Sequence, residues 1–289
     1  MEQISMNRMC HEAFEIAADA HRYVREGLLL WDDVSQIDPP SCPALLVTQD
    51  GVFPVQCWVD RPSACDGDVV DKVEAVILSM PNGVLHVVSV KRDNALDPID
   101  LGALRICPDA DLAEHFHDLL ERVETPMLRR FIGDVFSLRQ VFQGFWEATA
   151  GTRHHAWAGG LARHSVEVAE RVASDMSRSD PDSVMFTEAE RDLAIAVSLL
   201  HDIGKTISYT ADGFCTPRAL MLGHEVLGVE LMHKPLEALR VEQVDLADAL
   251  TALLLSRTRF AQGRFHLEAI RQVISKADRD SARRGLARL

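Results

Sequence analysis

Residues 194–205 read AIAVSLLHDIGK, and the change of character at His201 decides how the second half of the chain folds. Seven small or apolar residues in a row, Ala194 to Leu200, suit a helix buried on most of its faces. His201 and Asp202 follow at once, so a core helix delivers an imidazole and a carboxylate at its C-terminal end. Gly204 is the expected stop, because a left-handed residue there costs little. Adjacent helical residues diverge by about 100°, yet these two side chains are long enough to converge on one ion. Such a pair is costly to bury unless it is paired or coordinated.

Three further stretches concentrate metal-competent side chains: RHHAWAGGLARHS at 153–165, LGHE at 222–225 and ADRDSA at 277–282. Leu161, His164, Val168 and Val172 share one helical face, and Leu250, Leu253, Leu254 with Ile270, Val273, Ile274 give two more apolar stripes. Taken singly each signal is weak. A histidine on an apolar face is more often a satisfied core residue, roughly four times in five. Asp278 alone reads as a surface charge. The combination of His164, His201–Asp202 and Asp278, in this order on successive helices, is far less expected by chance. Imidazole with carboxylate suits Mn, Fe, Co or Zn and, less well, Mg.

The first half reads differently. Met9, Ala13, Ile16, Ala20 and Tyr23 recur at helical spacing, which predicts a helix over residues 5–26. The segment DDVSQIDPPSCP breaks it. Ala44 to Thr48 and Val52 to Val59 are β-prone runs joined by Gln49-Asp50-Gly51. Val69 to Ser79 and Val84 to Val90 form a second pair around Met80-Pro81-Asn82-Gly83. Asp-Gly and Asn-Gly are favoured hairpin chemistry, and four short strands at this spacing suggest a small antiparallel barrel or sheet. Gly27 to Trp31 is the candidate for a fifth strand. The order is similar to part of an OB-fold over about residues 41–107, where Phe53, Trp58, His86, Lys91 and Arg92 are candidates for base stacking and phosphate contact. Such aromatics are more often core. The expected fold class is α+β: a helical segment and linker over 1–40, an OB-like β module over 41–107 and an all-α domain over 108–289.

Composition bounds the rest. The chain has 289 residues, 47% hydrophobic and 26% charged, which is ordinary for a soluble globular protein. No window holds the roughly 18 apolar residues of a membrane span, and the first residues lack the form of a secretory signal. The six cysteines form no C-x-x-C pair, which fits reduced thiols in the cytoplasm. A net charge of −14 argues against a nucleic-acid partner, but the segment from Arg240 to Leu289 carries ten Lys/Arg against six Asp/Glu. Charge does not decide the partner.

The H…HD…D order resembles the HD superfamily of metal-dependent phosphohydrolases. HHAWAGGLARHS, LLHDIGK, LGHE and ADRDSA together look like the HD domain of YhaM-type 3′-to-5′ exoribonucleases, and are also similar to the HD-like region of TraI-type conjugative relaxases. The likeness spans roughly residues 120–285, and an OB-like module ahead of an HD domain is the YhaM arrangement. The resemblance implies that His164, His201, Asp202 and Asp278 ligate a divalent metal. It implies that His224 lies toward a second metal or the phosphate, with His154 and His155 near the substrate phosphate and Lys205 a cationic partner. Asp202 is also a candidate acceptor of water's proton. One departure stands out: YhaM-like chains carry a His-His pair where Leu255-Ser256 is here followed by Arg257-Thr258. One metal is therefore expected rather than two, with Arg257 a candidate for phosphate binding. The GYP signature of cyclic-di-nucleotide phosphodiesterases is missing.

Three functions are open on this reading. The first is a nuclease on single-stranded RNA or DNA, with the barrel guiding the strand. The second is a nucleotide phosphohydrolase whose N-terminal module regulates it or forms homo-oligomers. The third is a non-catalytic, TraI-related module that binds DNA or protein.

Overall fold

A computed structural model describes residues 21–31, 41–60, 69–92, 95–151, 154–177, 185–209, 214–258 and 263–286. The chain divides into two compact units, residues 1–101 and 102–289.

The first unit is a closed barrel of five strands: β1 (His21–Trp31), β2 (Cys42–Thr48), β3 (Gly51–Cys57), β4 (Asp71–Ser79) and β5 (Leu85–Lys91). The order around the barrel is β1-β2-β3-β5-β4, with β4 returning to β1 and the short β3–β5 seam parallel. This is an OB-like topology. Both expected hairpins form. Thr48 pairs with Gly51 across a two-residue turn. Ser79 pairs with Leu85 across the turn that Gly83 closes at φ +82°, a conformation only glycine adopts without strain. Alternation fills the interior: Leu29, Trp31, Leu46, Val55, Val73, Ala75, Ile77 and Val87 share one core.

β1 both bears out and corrects the sequence reading. Gly27 to Trp31 is indeed strand, but so are His21 to Glu26, the end of the helix that spacing predicted over residues 5–26. The six residues from His21 pair with Ser79 through Glu74 of β4, and this non-local ladder overrides a local pattern. Gly27 is required where β1 meets β2: a Cβ there would lie 2.7 Å from the Val47 carbonyl oxygen. The rest of the predicted N-terminal helix, residues 5–20, lies outside the described residues.

The second unit is helical. α1 (Pro98–Arg105) spans the division, and α2 (Ala110–Arg122), α3 (Pro126–Phe136) and α4 (Arg139–Glu147) follow. Phe116, Phe136, Phe145 and Trp146 form a fully buried aromatic cluster with edge-to-face and tilted rings 4.9–6.4 Å apart. α5 (Gly160–Ser177) and α6 (Glu188–Leu200) pack together, and α6 is buried at every residue from Asp192 to Leu200. After a 3₁₀ turn over Ile203–Ile207 come α7 (Pro217–Leu222), α8 (His224–Leu231), α9 (His233–Glu242), α10 (Val244–Leu254) and α11 (Leu267–Leu286), the last lying on α5. α6 opens with a capping box: Thr187 accepts the Glu190 N–H while Glu190 accepts the Thr187 N–H. No described helix is long and apolar enough to cross a membrane.

Candidate metal centre

Three helices deliver the four expected ligands to one place. His164 projects from the first turns of α5, His201 caps α6 with Asp202 next to it, and Asp278 comes from the middle of α11. His164 Nε2 lies 3.5 Å from Asp202 Oδ2 and 3.1 Å from Asp278 Oδ1. His201 Nε2 lies 3.5 Å and 4.0 Å from the same two oxygens. One ligand atom each from His164, His201 and Asp202 fits within a 4.8 Å span, close enough to share an ion.

The hydrogen-bond pattern says which imidazole nitrogens are free. His201 Nδ1 sits 2.8 Å from the Ser198 carbonyl oxygen, which can only accept, so Nδ1 carries the proton. Ser281 Oγ donates to Glu167 Oε2 at 2.8 Å and therefore accepts from His164 Nδ1 at 3.1 Å. Both rings then present Nε2 as a bare lone pair. Neither Nε2 is satisfied among the described residues although both are buried. Buried polar atoms are rarely left so, and two of them facing two carboxylates fit a divalent cation.

Electrostatics agree with that assignment. Burial pushes the His164 ring below its ordinary value, favouring the neutral form that ligates. Burial alone would raise the Asp202 carboxyl, but His201, the hydrogen bond from His224 and the Lys205 ammonium outweigh it and hold it well below the usual range. Asp278 is lowered against burial by the neighbouring His164 and His201 imidazoles.

A cavity of about 260 Å³ opens at this centre, with His154, His201, Asp202, Lys205, His224 and Asp278 among its lining residues. Lys205 Nζ donates to Asp202 Oδ2 at 2.6 Å and to the Ala150 carbonyl. His224 Nε2 donates to Asp202 Oδ1 at 2.9 Å. His155 and Arg257 stand apart. His155 is fully buried behind His164, their ring centres 5.3 Å apart, and Arg257 is exposed and off the cavity wall. The guanidinium that does line the cavity is Arg271, forked onto Glu268 through Nε and Nη2. Sequence reading missed Arg271, Glu167 and Ser281. A spacing signal existed for the last two, since each stands three residues after an expected ligand on the same helix.

Gly204 does not stop α6 in the expected way. Positive φ among described glycines occurs at Gly83, Gly159 and Gly223, not at Gly204. The chain instead runs on through the 3₁₀ turn, and Gly204 is needed for contact: a Cβ there would lie 2.0 Å from the His224 carbonyl oxygen. That close approach brings His224 to Asp202.

Comparison with known families gives a match over residues 161–283, the stretch from α5 to α11 that holds all four ligand candidates. This region is an HD domain. No curated protein and no solved structure matches the chain. The HD domain is a metal-dependent phosphohydrolase module, and its His/Asp cluster is consistent with the divalent-metal site of that family.

Proposed function

We propose that the protein hydrolyses phosphodiester bonds of single-stranded RNA or DNA, cleaving at the HD-domain cavity. The observation that carries the reading is the pair of bare, buried Nε2 atoms set against Asp202 and Asp278 at the floor of a polar cavity. A divalent ion held by His164, His201, Asp202 and Asp278 supplies Lewis-acid chemistry toward phosphoryl oxygens and water. The chain's own groups do the rest. Lys205 and Arg271 place positive charge on the cavity wall for the phosphate. His224, anchored to Asp202 through its Nε2–H, would as the imidazolium give its Nδ1 proton to the leaving oxygen. Asp202, held in its charged form by His201, His224 and Lys205, serves as a ligand and as the candidate acceptor of the water's proton.

The nucleic-acid part of the proposal draws support from the barrel. Trp58 is half exposed beside His86, to which its indole N–H donates at 2.8 Å, and Lys91 and Arg92 are exposed nearby in sequence. An aromatic platform with flanking cations is what sequence-tolerant strand binding uses. Phe53, by contrast, is packed onto the barrel core. A second reading, hydrolysis of a mononucleotide, is favoured by the small cavity.

The test is an end-labelled single-stranded oligonucleotide and a set of nucleotides, each incubated with the protein and Mn²⁺. Shortened oligonucleotide products, lost by about 10²-fold or more in Asp202→Ala, are expected. Turnover of nucleotides alone would replace the nuclease reading with the second one. Undiminished activity in Asp202→Ala would remove the site.

A further inference from the structure

His155 occupies a place the chain secures with unusual backbone. Its φ is +47°, a left-handed value that a non-glycine residue rarely takes. A Cβ on Gly160 would lie 2.0 Å from the His155 carbonyl oxygen, and one on Gly285 would lie 2.5 Å from His155 Nδ1. Gly160 on α5 thus makes room for the His155 backbone and Gly285 on α11 for its ring. His155 Nε2 stands 3.5 Å from Glu167 Oε2, the oxygen that accepts the Ser281 hydroxyl. Burial opposes ionisation of Glu167, yet its neighbours His155 and Ser281 hold the carboxyl down to about 2. A buried charge is therefore kept one side chain away from His164.

We propose that Glu167 and Ser281, backed by His155, are positioning residues that fix the ring and the tautomer of His164. The inference rests on the metal-centre reading above. Its logic is a competition. Asp278 Oδ1 lies 3.1 Å from His164 Nε2 and, with no ion between them, would draw the ring proton onto Nε2, blocking the lone pair that ligation needs. Ser281 spends its proton on Glu167, so toward His164 its oxygen can only accept, and this draws the proton onto Nδ1 instead. His155 serves this chain rather than the substrate: it is buried and does not line the cavity.

Long-range proton–nitrogen spectra of the full-length, metal-free protein labelled at histidine read the tautomer directly, with the His164 signal assigned from His164→Gln. The wild type is expected to carry the proton on Nδ1. Ser281→Ala and Glu167→Ala, checked for folding by circular dichroism, move it to Nε2 and weaken Mn²⁺ binding by about 10- to 100-fold. Ser281→Thr, which keeps the hydroxyl, restores both. His155→Gln shifts both in the same direction. Should it instead leave Mn²⁺ affinity intact and raise only the KM for bis(p-nitrophenyl) phosphate, His155 belongs to the substrate and its part in the chain is overturned. A wild-type His164 protonated on Nε2, or a Ser281→Ala protein that binds Mn²⁺ as tightly as wild type, overturns the whole proposal. A wild type with the expected tautomer that binds no Mn²⁺ sinks the metal centre and leaves the hydrogen-bonded chain standing.

Discussion

Among the described residues the barrel buries one polar residue, Thr48, while the helical unit buries ten, from His155 to Ser281. Thr48 has a local duty, its hydroxyl accepting the N–H groups of Asp50 and Gly51 in the β2–β3 turn. Several of the ten have no such local use. His155, His164, Asp202 and Ser281 converge from separate elements and leave nitrogens unsatisfied. Burying polar atoms this way costs free energy unless something compensates. The barrel interior is thus an apolar framework, while the HD domain gives part of its interior to a cluster of titratable side chains.

The sharpest way to break that contrast is to weaken each interior in turn. Phe145 packs against Phe136 and Trp146 at 4.9 Å between ring centres, so Phe145→Ala should cost about 3–5 kcal/mol. Leu46→Ala, at a fully buried barrel position, should cost about 2–5 kcal/mol. Hydrogen exchange followed by mass spectrometry would locate the lost protection in helices for the first and in strands for the second. The framework view expects Leu46→Ala to leave Mn²⁺ affinity unchanged. A Leu46→Ala protein with weakened Mn²⁺ affinity would dissolve the division of labour.

The two regions were also unequally legible. The barrel announced itself through short-range chemistry: Asp50-Gly51 and Asn82-Gly83 between alternating runs are turn signals that need no tertiary partner. Where it misled, at His21 to Glu26, the decisive pairing with β4 comes from some fifty residues along the chain, beyond the reach of local spacing. In the HD domain the four ligand positions could be named from sequence because His164, His201–Asp202 and Asp278, each weak alone, stand in the order that the HD-superfamily resemblance reads as a ligand set. The hydrogen-bonded support could not. Glu167 and Ser281 look like ordinary surface residues until α5 and α11 pack. Sequence reading offered Arg257 as the phosphate partner, and only the packed fold shows that Arg271 on α11 lines the cavity while Arg257 does not.

Gly204 offers a smaller and more local probe of the same contrast. Its Cβ would meet backbone, the His224 carbonyl, so Gly204→Ala must push α8 away and with it the His224 ring from Asp202. A cost of about 1–3 kcal/mol is expected from overpacking. The telling readout is chemical: Mn²⁺ binding through His164, His201 and Asp278 should survive better than turnover, which needs His224 in place. Equal losses in both would mean that Gly204 serves the fold and not the placement of His224. The corresponding tight glycine in the barrel, Gly27, should give a stability loss with no change in either.

The smallest effect separates buried charge that serves the site from buried charge that serves the helix. Glu190 is almost wholly buried and accepts from the Thr187 N–H at 2.8 Å and from the His266 N–H at 2.7 Å. Burial opposes its ionisation, but these bonds outweigh it and the carboxyl is lowered from its usual value. A carboxyl whose folded-state pKa lies below the unfolded one, about 4.3, stabilises the fold fully above that pH. The contribution then fades as pH falls toward the lower folded value. Glu190→Gln retains a side chain able to complete the capping box but has no charge to titrate. Its stability, followed by urea denaturation from neutral pH down to pH of about 3, should therefore fall less steeply with acid than the wild type's, with Mn²⁺ affinity at neutral pH untouched. Parallel curves would mean that the Glu190 charge adds nothing the amide does not. A lost metal would show that this cap, twelve residues before Asp202 on the same helical run, is coupled to the site after all.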